Sequence, residues 1–209
     1  SMASVRSESR RRGLPSFREI IKSMVRRPAT ISSNNALLWG VAWLIAGAMI
    51  GWHFSLVPTS LIGYTWGGGP LLWQVIYALT LWITSCVVIF AASLIINRRV
   101  GIVELFGRML FARWPIYLLM IPGMVTDRVA YSTFMSNPEA SFSANPIYAA
   151  AMTVVTVVVL LWYLYWGYCA FSRSTQSSGV ITIVVYILSM VGGYYLSHIS
   201  LRMLMTGVA

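Results

Sequence analysis

Few residues of this 209-residue chain are equipped to do chemistry. Histidine occurs twice, as His53 and His198, and cysteine twice, as Cys86 and Cys169. Beyond residue 35 the acids are Glu104, Asp127 and Glu139. A metal centre or an acid–base pair would need several such groups to converge. His53, Gln74, Asp127, Arg128, His198 and Arg202 all fall towards the same ends of apolar runs, so a bundle would bring them to one face. The plainer alternative is that they stand where lipid headgroups and water begin. There is no Ser-His-Asp pattern, no H-E-x-x-H and no aspartate pair inside an apolar run, so proteolysis within a membrane has no constellation to work with. Nor does any ionisable group read as central in a span, as proton-coupled transport would need. Gly67 to Gly69 lack the lysine of a phosphate cradle. The expectation is of no cofactor, no metal and no catalytic residue.

What would position these groups is a membrane. The chain is 58% hydrophobic and 10% charged, with mean hydropathy +0.74, far from a soluble domain of this length. Ser1 ahead of Met2 reads as an added residue, and no cleavable secretory signal is visible. Five spans are expected, over about 36–57, 71–96, 109–130, 146–171 and 179–201. Gly40, Gly47 and Gly51 share one face of the first, and Ser189, Gly193 and Ser197 one face of the fifth, as close helix contacts require. Cys86 and Cys169 should differ in depth by about 12 Å, too far for a disulfide.

The stretch from Asn97 to Val129 is the centre of this arrangement. Val103, Phe106, Leu110 and Phe111 recur at helical spacing, predicting an amphipathic surface helix over about Gly101–Ala112. The uncharged run that follows, Trp114 to Thr126, covers only about 20 Å. It crosses if Arg113 snorkels to the surface and the helix continues past Asp127. Pro115 and Pro122 interrupt it, and Pro122 should free the Leu118 carbonyl, with Thr80, Thr84, Ser85 or Ser189 as the donors expected to serve it. Were the segment re-entrant instead, four crossings would return the C-terminus to its starting side.

Residues 1–35 form a separate basic segment with eight of the 15 Lys+Arg. Ser16 and Glu19 make a capping box, and Phe17, Ile20, Ile21, Met24 and Val25 share a face, so Ser16 to Arg27 reads as an interfacial amphipathic helix. Arg18, Lys22, Arg26 and Arg27 would meet anionic lipid headgroups; no aromatic-studded module points to nucleic acid. Counted over alternate loops, Lys+Arg number 13 against two, which places the N-terminus in the cytoplasm and the C-terminus outside.

The motifs carry a resemblance. G-I-V-E-L-F-G-R-M-L-F-A-R-W-P-I-Y-L-L-M-I-P, residues 101–122, resembles the cytoplasmic Gly-x-x-x-x-x-Phe helix of the Yip1 family as it runs into a proline-containing third span. V-R-R-P-A-T-I, residues 25–31, is similar to the Arg-Pro-x-x-Thr lead-in of bacterial members, and Gly167 in W-G-Y matches a glycine near the end of their fourth span. The Asp-Leu-Tyr-Gly-Pro motif of eukaryotic members is absent, so binding of Rab-type GTPases is not carried over. The resemblance implies an all-α, five-helix transmembrane bundle in a bacterial inner membrane. It also implies a non-enzymatic role in membrane organisation or recruitment of a membrane-protein partner or second copy, with Gly101, Phe106, Pro115, Pro122 and Gly167 as family-like or hinge positions. A small transporter or channel, or a lipid-modifying enzyme with an outer-face site, are the alternatives.

Overall fold

A long apolar run that satisfies its own backbone hydrogen bonds becomes a helix, and four such runs build most of this protein. The computed structural model describes residues 32–206, so the basic helix expected over 16–27 lies outside the described residues. The long helices are α1 (Ser33–Phe54), α2 (Leu71–Ile96), α7 (Pro146–Thr175) and α8 (Val180–Thr206). The shortest has 22 residues, about 33 Å of helix, so each is long and apolar enough to cross a ~30 Å hydrocarbon core. The chain is an all-α membrane protein. Between α1 and α2, Leu56–Pro58 (β1) and Tyr64–Trp66 (β2) pair antiparallel, Val57 opposite Thr65. This hairpin, at the point where a loop was expected, is anchored by the buried Leu56, Leu61 and Tyr64.

The third apolar stretch departs most from expectation. It begins seven residues earlier than the span expected at 109, as α3 (Ile102–Ala112), continues as a 3₁₀ turn over Trp114–Leu119, and ends as α4 (Met120–Val125). Pro115 opens the 3₁₀ turn. Thr126 leaves the helix, and Asp127 accepts from the Ala130 amide at 3.0 Å to start α5 (Arg128–Ser136). The continuation past Asp127 therefore does not occur, because the aspartate caps a new helix instead. Asn137 repeats the device ahead of α6 (Pro138–Ala144), and Asn145 ahead of α7, each with proline at the first helical position.

Helix α3 has the bounds and the amphipathic character expected over 101–112, and its apolar side is covered by protein. Leu105, Gly107, Met109, Leu110, Phe111 and Ala112 are buried, while Val103 is exposed. The reason is the glycine face of α1. Gly107 meets Ser33 and Leu37, Gly40 meets Leu110 and Phe111, Gly47 meets Tyr117, and Gly51 meets Met120. Residues 102–125 thus run alongside α1, in the same direction, from its first turn to its last. At 24 residues they cover about 36 Å if helical throughout. On the opposite side Trp114 packs edge-to-face with Trp162 and Trp166 of α7, ring centroids 5.0 and 6.2 Å away. Helix α8 packs chiefly on α2, where Gly193 touches the Ser85 backbone.

The proline break is served differently from the expectation. Thr80, Thr84, Ser85 and Ser189 all donate to carbonyls of their own helices. The Leu118 carbonyl accepts from the Met120 amide, and the Tyr131 hydroxyl of α5 donates to the neighbouring Leu119 carbonyl at 3.1 Å in a buried setting. Cys86 and Cys169 are not joined in a disulfide.

Candidate functional site: a buried arginine beneath the hairpin

Arg113 sits where α3 gives way to the 3₁₀ turn, halfway along the segment that lines α1. Snorkelling was expected of it; instead it is 5% exposed, and its Nε and Nη1 have no hydrogen-bond partner. A guanidinium carries five donors in a rigid plane and stays charged. Buried without a partner, such a charge costs several kcal/mol (~). Among the described residues the acids are engaged elsewhere: Glu104 pairs with Arg108 one helical turn along α3, Asp127 caps α5, and Glu139 lies in the first turn of α6.

The arginine borders a chamber of about 20 Å³ beneath the hairpin. It is lined by Gly47 and Gly51 of α1, Tyr64 of β2, Gln74 of α2, and Tyr117 and Met120 of the broken segment. The glycines create the room. A Cβ on Gly47 would lie 2.5 Å from the Tyr117 ring, and one on Gly51 would lie 2.8 Å from the Leu56 carbonyl and 3.8 Å from Gln74 Oε1. Burial pushes the Tyr64 hydroxyl well above the usual phenol range, although Arg113 pulls the other way. It therefore stays protonated and can donate. The chamber combines one cation with phenol donors, a set suited to holding negative charge.

The residues singled out from sequence are not gathered here. Gly101 is the residue before α3, and Phe106 stands edge-on between Trp82 and Phe90, with centroids 5.9 and 6.4 Å away. Pro115 and Pro122 shape the broken segment, while Arg18, Lys22, Arg26 and Arg27 lie outside the described residues. Of the six polar residues expected to converge, Gln74 alone lines the chamber. Arg128 lies over the Trp66 ring at 4.5 Å, and His198 stacks on Tyr194 with Nδ1 3.3 Å from the Thr59 carbonyl. No group of three metal-ligating side chains occurs among the described residues. The signal for Arg113 was its place midway between Ile102 and Val125, visible only once the helix expected from 101 and the apolar run after it are joined into one segment.

Gly167 faces Tyr186 so closely that a Cβ would collide with the phenol oxygen, and that hydroxyl is buried without a partner. Gly167→Ala should therefore cost about 1–3 kcal/mol. Because Tyr186→Phe removes the colliding atom and no hydrogen bond, the double variant should recover most of the loss. Thermal unfolding of the four proteins in detergent checks this, and an additive double variant would refute it.

No protein-family model, curated protein or solved structure matches this chain.

Proposed function

We propose that this chain is a five-crossing protein of a bacterial inner membrane that works by binding, without catalysis, in membrane organisation or partner recruitment of the Yip1 type. The observation supporting it is the course of residues 102–125 beside α1 from Ser33 to Gly51, which gives that segment the reach of a further crossing beside the four long helices. The charge count then sets the hairpin end outside, with the N-terminus cytoplasmic and the C-terminus outside. Arg18, Lys22, Arg26 and Arg27 would hold the N-terminal segment to anionic lipid. The apolar faces of α7 and α8, including Val158, Leu161, Ile187 and Leu188, are exposed and would meet lipid, a membrane partner or a second copy. A reporter fused after Ala209 should be active only outside the cytoplasm. Cytoplasmic activity would remove the fifth crossing.

A small transporter or channel is the second reading, favoured by the chamber beside the buried Arg113. Purified protein in liposomes distinguishes the two. Recruitment predicts no anion flux above that of empty vesicles, and flux abolished by Arg113→Gln would favour transport.

A further inference from the structure

We propose that the chamber beside Arg113 binds a single monovalent anion of halide size, entering from the hairpin end. This goes beyond the recruitment reading and does not depend on transport.

The argument begins with charge. Arg113 is nine-tenths buried, two of its nitrogens lack partners, and no carboxylate among the described residues meets it. A buried cation is stable only when something neutralises or solvates it. Tyr64 does not supply the counter-charge, since its phenol stays protonated. A water molecule would accept hydrogen bonds but cancel no charge.

Size comes next. The chamber holds about 20 Å³, against the roughly 10–15 Å³ needed for one water-sized sphere. Phosphate, sulfate and carboxylate-bearing molecules need several times more room. A monatomic anion fits.

The lining agrees with both. The Arg113 guanidinium and the Tyr64 and Tyr117 hydroxyls offer donors from the broken segment and the hairpin, while Gln74 closes the side facing Gly51. Apolar Met120 and Leu56 complete the wall and keep the local dielectric low. The hairpin forms the roof, so the short way in is between β1–β2 and the first turns of α2.

The test uses the full chain in detergent, with sodium bromide exchanged for sodium gluconate at constant ionic strength. Gluconate is too large for the chamber. The unfolding midpoint should rise saturably with bromide, by linkage to the folded state, and crystals grown in bromide should show an anomalous peak beside the guanidinium. Arg113→Gln should abolish the dependence, while Arg108→Gln should keep it. Should Arg113→Gln fail to fold, Tyr64→Phe removes a second donor and should weaken bromide binding by about tenfold. No bromide dependence beyond gluconate would overturn the proposal. So would a dependence unchanged in Tyr64→Phe, or an anomalous map with no peak in the chamber.

Discussion

Arg113→Met is expected to make the protein more stable, by about 1–4 kcal/mol in halide-free buffer. Most core substitutions destabilise, so the sign is the informative part. Methionine follows the path of the arginine stem and fills similar volume with no charge to desolvate. The guanidinium it replaces is 5% exposed and has two unpartnered nitrogens. Insertion scales put an arginine at the centre of a membrane helix at about 2.5–3.5 kcal/mol, a similar size. Arg113→Lys keeps the charge and should bring no such gain. Unfolding midpoints in gluconate decide the matter. A large loss of stability in Arg113→Met would mean that the arginine already has a strong partner, and the unpaired charge would no longer be a feature of this fold. A residue that lowers stability in this way is the expected signature of a site kept for binding.

Gly40→Val is expected to be the most damaging single change in the first helix, at about 3 kcal/mol. A Cβ at Gly40 would lie 2.7 Å from Leu110 Cγ and 2.9 Å from the Phe111 backbone nitrogen. A side chain could swing aside, but the backbone of α3 cannot without parting from α1 along its length. Gly68→Ala is the control: nothing lies within 4 Å of a Cβ there, and its effect should stay within about 0.5 kcal/mol. A neutral Gly40→Val would mean that residues 102–125 are not docked on α1.

How much of this was legible depended on whether the cause was local. Helix α2 has the bounds its composition implied, 71–96, because Pro70 and the polar Asn97 enclose an unbroken apolar run. Asn145-Pro146 announced the start of α7 by cap chemistry alone, and the glycine stripe of α1 and the Ser189–Gly193 face of α8 were readable as contact surfaces. Asn137-Pro138 carries the same cap signal, yet α5 and α6 were missed because their polar composition reads as loop. The hairpin strands, three residues each, are too short to show a period of two. Arg113 was misplaced for a different reason. A charge in a sequence window ends an apolar run, whereas its burial here depends on Gly47, Tyr64 and Gln74, which lie 66, 49 and 39 positions away in the chain.

The parallel docking of 102–125 on α1 also bears on how such a chain is assembled in a bilayer. On the five-crossing reading, this segment carries Glu104, Arg108 and Arg113 and two prolines, and its helix is broken in the middle, so lipid alone is a poor reason for it to enter. Its neighbour α1 has the opposite character: it is uncharged and stable in lipid by itself, with a row of glycines left open for something to close. Two neighbours that run the same way cannot be inserted as a hairpin, since α2 must first carry the chain back across. Biogenesis therefore has an order built into it. On that reading the α1–α2 pair would go in first and leave a glycine-lined berth, and the third segment would enter by filling that berth instead of by its own affinity for hydrocarbon.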